Sequence, residues 1–198
     1  MNEQLQNEQL QRALDGMSSH DPEVRMTSAT EIHHLGRALA DHAVFPWWSD
    51  TDLFTLLEGG SPFVTIGLAV APDRFAQIRE ANGSPRLADV PPGQDAQEFE
   101  LHLPGGLSMD VLTSTDPAGS GPIARFLQKF GEGIQQVEIR CQDVDRAVQI
   151  LQEKFALLPV YPATQPGADG TRINFFLVAA PGANKVLIEL YEPAPRLD

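Results

Sequence analysis

The stretch that decides the fold of this 198-residue chain is GIQQVEIRCQDVDRAVQILQEKF, residues 133–155. Apolar and polar residues alternate over residues 133–140, which predicts a strand. Asp143 stands where a helix N-cap is expected, and apolar residues at helical spacing follow it to Phe155. The stretch therefore predicts a strand that leads almost directly into a helix over residues 144–155.

An earlier stretch, FVTIGLAVAPDRFAQIREA at residues 63–81, has the same order of strand and helix. Here Asp73 is the expected N-cap, and the helix is predicted over residues 74–81. The hexamer DRFAQI at residues 73–78 matches DRAVQI at residues 145–150 in four of six positions. Because the match falls at the same point of both copies, it indicates an internal duplication.

Three further strands are predicted after each helix, separated by turns rich in proline and glycine. They span residues 85–90, 98–103 and 107–114 in the first copy and residues 158–161, 171–178 and 185–192 in the second. The predicted fold is α+β, with two tandem βαβββ modules of the glyoxalase-like kind and an α-helical N-terminal extension.

The chain is predicted to divide into three segments. Residues 1–60 form the helical extension, residues 61–117 the first module, and residues 118–198 a linking helix and the second module. Ser120 is the expected N-cap of the linking helix. The apolar segment AVFPWW at residues 43–48 is expected to pack against the rest of the protein or a second subunit.

Helix starts in the extension are also predicted from capping residues. Asp21 followed by Pro22 is expected to begin one helix. Ser49 and Asp52 resemble a capping box that begins another, which the glycines at positions 59 and 60 would end.

Composition excludes several classes of function. The net charge of −13 repels phosphate backbones and anionic membranes, so neither nucleic acid nor a membrane is an expected partner. The single cysteine, Cys141, allows no intramolecular disulfide and no thiolate metal cluster, and is expected to be a buried inert thiol. No apolar run is long enough to span a bilayer, and no signal peptide is evident. A cytoplasmic location is expected.

Period-two alternation places mixed polar residues on the strand faces opposite the apolar ones. On an ordinary antiparallel sheet such residues simply face water. Because polar residues recur at corresponding depths in several strands, we expect them instead to line a cleft between the modules. The candidate ligand-binding residues are Thr65, Asp110, Gln136, Glu138, Arg140, Arg172 and Tyr191, with Glu189 as the candidate catalytic residue.

The second half of the chain resembles the methylmalonyl-CoA epimerase branch of the vicinal oxygen chelate (glyoxalase) superfamily. The resemblance is carried by GSGPIARFLQKFGEGI, QVEI, DVDRAVQIL, GADGTRINFF and VLIELYEP in this order, between residues 119 and 193. The first module is similar through TIGLAV, EFELHLP and LSMDVL. Together these pieces cover about two-thirds of the chain, and residues 1–60 have no counterpart.

The resemblance implies a divalent metal held by the first and last strands of each module, with histidines in the first strands. Here those first-strand positions are Thr65 and Gln136, and the last-strand positions are Asp110 and Glu189. An all-oxygen set suits only a hard cation such as magnesium, manganese or calcium, with Asp110, Gln136 and Glu189 as ligands. We therefore expect no metal cofactor, or one of these ions.

The histidines do not restore the predicted metal site. His20, His33, His34 and His42 all fall in the helical extension, where they are expected to be solvated or to contact a partner. His102, in the first module, is expected to be an exposed strand histidine, with a role as acid or base as the alternative.

Three functions compete. The first is a protein, similar to the bleomycin-resistance proteins, that binds a small molecule in the cleft between its modules, without the usual metal-binding histidines. The second is a metal-dependent epimerase or lyase that removes a proton next to a carbonyl. The third is an interaction module that buries residues 43–48 against a partner. The paired modules also suggest a homodimer.

Overall fold

The computed structural model describes residues 3–57, 63–180 and 183–194 of the chain. The helices are α1 Glu3–Met17, α2 Pro22–Val44, α3 Thr51–Leu56, α4 Pro72–Ala81, α5 Pro122–Phe130 and α6 Val144–Phe155. The strands are β1 Val64–Ala69, β2 Gln97–Leu103, β3 Leu107–Thr113, β4 Gly133–Arg140, β5 Gln165–Pro166, β6 Arg172–Ala180 and β7 Ala183–Glu192. Short 3₁₀ turns occur at Trp47–Ser49 and Ala168–Gly170.

The chain forms two compact units. Unit 1 comprises residues 1–36 and 65–135, and unit 2 comprises residues 37–64 and 136–198. The chain passes from one unit to the other within α2, at the start of β1 and within β4. Helices and strands thus build both units, and the predicted α+β class with N-terminal helices is confirmed.

Unit 1 has the strand order β2-β3-β1, with β3 parallel to β1 and antiparallel to β2. Ile66 and its neighbours on one face are fully buried, and Phe75 of α4 meets Phe99 edge to face with 4.9 Å between ring centroids. A Cβ at Gly36 of α2 would lie 2.6 Å from the Ile66 side chain, so only glycine allows this close approach. α5 packs Ile123 against Ala69 on the opposite face.

Unit 2 repeats this arrangement with the order β4-β7-β6-β5, in which β4 and β7 are parallel and the other pairs antiparallel. α6 covers the face that carries Ile188 and Phe176, both fully buried. Trp47 of the AVFPWW segment packs edge to face on Phe176, at 6.2 Å between centroids. Part of the predicted packing of this segment is therefore internal, although Phe45 remains 71% exposed.

Two predicted strands are corrected by the structure. Residues 85–90 form no strand, although Ala88 donates its N–H to the Glu98 carbonyl at 2.9 Å. Residues 158–161 provide only one bridge, between Pro159 and Phe176. Both segments contain proline, and Pro91 and Pro92 follow the first of them. Since proline cannot donate to a ladder, continuous pairing fails in both places.

Capping predictions succeed where an aspartate immediately precedes the helix. The Asp143 side chain accepts the Arg146 N–H, as predicted for the start of α6. α4 and α5 begin instead after Ala71 and Gly121, because a proline at the first helical position replaces the Asp73 and Ser120 caps.

In the extension, Asp21 accepts the Glu23 N–H at the start of α2, as predicted. The cap of α3 is Asp50, which accepts the N–H groups of Asp52 and Leu53, and not Ser49. The predicted end of this helix at positions 59 and 60 lies outside the described residues. None of the helices in the described ranges combines the length and the apolar character that a membrane crossing needs.

Candidate functional site

The central feature of unit 2 is a group of three buried polar side chains on the sheet face away from α6. Glu138 of β4 and Glu189 of β7 are register partners, and Gln136 precedes Glu138 by two residues on the same face. All three are buried, with exposures of 6–8%. The Gln136 side-chain amide donates to Glu189 Oε2 at 2.6 Å and to Glu138 Oε1 at 3.1 Å.

The carboxylate–amide group, defined as Gln136, Glu138 and Glu189, brings two buried carboxylates and one amide together. Two ionised carboxylates at neighbouring positions repel each other, and burial adds a desolvation cost to each. The amide N–H₂ of Gln136 offsets part of that cost and holds both carboxylates in place. The group thus holds two carboxylates side by side, and a carboxylate held in place is the kind of side chain that can act as a general base.

On the rest of this face, the side chains change from polar on β4 and β7 to apolar on β6. Arg140 and Tyr191, half-buried register partners, lie beside the group. On the next strand, Phe175 is the direct partner of Glu189 and Leu177 the partner of Leu187. Sequence reasoning placed the polar residues of β4 and β7 correctly. It missed the apolar ones of β6, which the same period-two alternation could have revealed.

Arg172 does not join this group. It belongs to the same side of β6 as Phe176, which is the side that α6 covers. Its guanidinium pairs with Asp145 of α6 and with Glu192 Oε2 at 2.9 Å. The structure thus uses Arg172 to join α6 to the sheet and does not bring it to Glu189.

Unit 1 places Thr65 and Asp110 on one sheet face, both nearly fully buried. Asp110 has Gly67 as its register partner on β1 and Glu100 as its partner on β2. Apart from Arg172, the predicted residues of each unit thus lie on one face of its strands. The further prediction, that the residues of both modules line one cleft, stays a prediction.

The histidine predictions succeed in part. His102 is 67% exposed, and it contacts Glu100 Oε2 at 3.0 Å and Ser108 Oγ at 3.2 Å, so the expected exposed strand histidine is confirmed. His20, His34 and His42 are also exposed. His33 is only 6% exposed in α2, next to the fully buried Ile32, so the first of the two expectations, solvation, was wrong for this histidine.

Two further features are distinct from the carboxylate–amide group. Burial raises the pKa of Cys141 to about 12, so its thiol stays protonated at neutral pH, as expected for an inert buried cysteine. Unit 1 also has a hollow of about 420 Å³ beside α4, whose lining includes Phe75, Arg79 and Thr115. This hollow contains none of the predicted site residues.

The donor set does not suit the divalent metal that the fold family implies. Gln136 directs its N–H₂ at both carboxylates, so protons occupy the side from which a cation would bind them. Within the described residues, no three His, Cys, Asp or Glu side chains are grouped closely enough to hold a metal ion. The chemistry of this face is therefore derived from its own side chains.

The chain resembles known proteins at the level of solved structures. No protein-family model matches the chain, and no curated protein matches it. Among solved structures, the methylmalonyl-CoA epimerase of Mycobacterium tuberculosis is 32% identical with a TM-score of 0.55, over 67% of this chain and 88% of that one.

Two more distant structures show the same fold. A Streptomyces coelicolor methylmalonyl-CoA epimerase in complex with 2-nitronate-propionyl-CoA is 21% identical, with a TM-score of 0.54 over 68% of this chain and 99% of that one. A methylmalonyl-CoA epimerase in complex with methylmalonyl-CoA and NH4+ is 20% identical, with a TM-score of 0.53 over the same shares. On the first of these three matches, the chain belongs to the vicinal oxygen chelate (glyoxalase-like) superfamily, on its methylmalonyl-CoA epimerase branch.

Proposed function

We propose that this protein binds a small acyl thioester on the sheet face of unit 2 and moves the proton on the carbon next to the thioester carbonyl. The observation that carries the proposal is the carboxylate–amide group, a buried pair of glutamates held by one amide. The solved epimerases of the same branch support the substrate class, since one holds methylmalonyl-CoA.

The reaction needs only side chains of this face. A carboxylate of Glu138 or Glu189 removes the proton, and the electron pair of the broken C–H bond moves into the carbonyl to form an enolate. Return of the proton by the same carboxyl group restores the starting configuration and exchanges the proton. Where the substrate carbon lies between the two carboxyl groups, the second glutamate, in its protonated form, donates its proton to the other side of the enolate and inverts the configuration. The first glutamate is then left protonated and the second ionised, so the product is the epimer and no atom is gained or lost.

The positions of the glutamates favour this role over a purely structural one. The base becomes neutral when it takes the proton, which relieves the repulsion between Glu138 and Glu189. Gln136 keeps both carboxylates oriented during the transfer. Tyr191, half-buried beside the group, supplies a hydroxyl that can donate to the substrate.

The test is deuterium exchange. Methylmalonyl-CoA is incubated with the protein in D₂O and EDTA, and loss of the C2 proton is followed by NMR. We expect exchange above the protein-free rate, reduced by about 10²–10⁴-fold in Glu189→Gln or Glu138→Gln, as removal of a general base predicts. Glu153→Gln, an exposed carboxylate on α6, is the matched control and should exchange as the unaltered protein does.

Each other outcome is decisive. Exchange that begins only when Mg²⁺, Mn²⁺ or Co²⁺ is added would overturn the metal-free mechanism. Binding of methylmalonyl-CoA without exchange under any of these conditions would overturn catalysis. That result would support the second candidate, a small-molecule-binding protein, which the absence of histidine at Thr65 and Gln136 favours.

A further inference from the structure

The sheet face that carries the carboxylate–amide group continues into exposed apolar residues. Phe175 of β6 is the direct partner of Glu189. Val160 donates its N–H to the Phe175 carbonyl at 2.7 Å, and the neighbouring Pro159 bridges to Phe176. Because Pro159 shares the side of Phe176, Val160 and Leu158 share the side of Phe175.

These residues form an apolar strip, defined as Leu158, Val160, Phe175 and Leu177. Leu158 is 81% exposed, Val160 48% and Leu177 51%. Phe175 is half-buried, and the Tyr161 ring packs edge to face on it at 5.8 Å between centroids. Aromatic packing therefore fixes the inner end of the strip beside Glu189.

Unit 1 shows what the duplicated fold has at the equivalent positions. Phe175 and Leu177, the two strip residues on β6, have counterparts on β2. Asp110 pairs with Glu100 where Glu189 pairs with Phe175, and Ser108 pairs with His102 where Leu187 pairs with Leu177. The strand that pairs antiparallel with β3 or β7, here called the hairpin strand, is β2 in unit 1 and β6 in unit 2. Its solvent-facing side is thus charged in unit 1 and apolar in unit 2. The fold itself does not require apolar residues here.

We infer that the apolar strip binds the acyl chain of the substrate, so that the preferred thioester carries a chain longer than the methyl group of methylmalonate. This inference rests on the proposed function for the position of the thioester carbonyl at Glu189. An acyl chain that starts at that carbonyl would first cross Phe175. From there it would continue either over Val160 or over Leu177 and Leu158. A charged or polar substituent would gain nothing from this path.

An acyl chain fits the apolar strip better than a second protein does. The strip is narrow, and its inner end adjoins buried carboxylates that a protein interface would have to cover. A flexible acyl chain needs only a continuous apolar path, and each buried methylene contributes about 0.8 kcal/mol, a factor of roughly 4 in affinity.

The experiment measures binding of acetyl-, butyryl-, hexanoyl- and octanoyl-CoA by calorimetry. We expect the affinity of the native protein to rise with chain length, by up to about fourfold per methylene that the strip buries. Leu177→Gln should flatten this dependence while acetyl-CoA binds as before. Phe130→Ser, which removes another exposed apolar side chain, on α5 of unit 1, is the control and should keep the full dependence.

The outcomes separate the two proposals. Affinity independent of chain length, or octanoyl-CoA that does not bind, overturns the acyl-chain inference, whereas deuterium exchange on methylmalonyl-CoA would still sustain the proposed function. Chain-length dependence without exchange sustains the inference and overturns catalysis. A change in sedimentation of Leu177→Gln, with no change in thioester binding, would identify the strip as a contact between copies of the chain and overturn the inference.

Discussion

The two units share one strand arrangement but distribute polarity in opposite directions. In unit 1, Asp110 lies between Gly67 on the first strand and Glu100 on the hairpin strand, so the second charged side chain is on the solvent-exposed edge. In unit 2, Glu189 lies between Glu138 on the first strand and Phe175 on the hairpin strand, so the second charged side chain is on the first strand and is buried.

This difference shows which face of the sheet varies between the two copies of the fold. The apolar face beneath the helix is common to both units, since it forms the core. The other face carries polar residues in both units, and its chemistry differs between the two copies. Unit 1 uses its hairpin strand as a solvated edge, and unit 2 combines a buried carboxylate pair with an apolar surface.

The largest predicted effect compares the equivalent carboxylates. Glu189→Gln should lower the deuterium-exchange rate by about 10²–10⁴-fold, as for loss of a general base. Asp110→Asn should lower it by less than about tenfold, because its partner on β1 is Gly67 and its other partner, Glu100, is an exposed carboxylate and not a buried one. Equal losses in the two variants, with the fold of both verified by circular dichroism, would contradict the assignment of the chemistry to unit 2.

A smaller effect is expected from giving unit 2 a metal ligand. In Gln136→His, an imidazole nitrogen replaces the N–H₂ donor beside Glu138 and Glu189, which completes a set that suits zinc or cobalt. At a metal concentration 100 times the Kd, the ion should stabilise this variant by about 2.7 kcal/mol.

Thermal unfolding with and without Zn²⁺ or Co²⁺ measures this stabilisation. Gln136→Met, of similar volume but without a hard or nitrogen donor, is the control and should show none. If the two variants respond alike, the carboxylate pair is not arranged to bind a cation together with residue 136.

The smallest effect concerns Asp145 and its counterpart Asp73 in the repeated hexamer. The hydrogen bond from Thr164, followed by that from Arg172, lowers the pKa of Asp145. A lowered pKa in the folded state means that these contacts stabilise the protein above the ordinary carboxyl pKa of about 3.9. That stabilisation is lost as the pH falls through the folded-state value.

Asp145→Asn should therefore destabilise the protein at pH 7 by less than about 1 kcal/mol, because both partners are well exposed. The difference from the native protein should shrink toward pH 3, in urea unfolding at both pH values. Asp73→Asn, at an exposed position of unit 1, should change stability less at pH 7. A difference that grows on acidification would show that Thr164 and Arg172 do not stabilise the ionised form.

Most of the fold could be predicted from the sequence because its signals are local. Period-two alternation indicated β1, β4 and β7, and the capping aspartate of α6 indicated its start. Predictions failed where proline changes the backbone, at residues 85–90 and 158–161 and at the starts of α4 and α5. Proline removes a donor that a strand needs, and it fixes the first residue of a helix.

The sequence by itself determined which residues share a strand face, since alternation depends only on position along the chain. It therefore identified Gln136, Glu138 and Glu189 as candidates. Only the tertiary structure decided that Glu138 and Glu189 are register partners and that the Gln136 amide donates to both. It also decided that Arg172 pairs with Asp145 of α6. The physical reason is that strand register and hydrogen-bond partners are set by packing between segments distant in sequence, which no local pattern specifies.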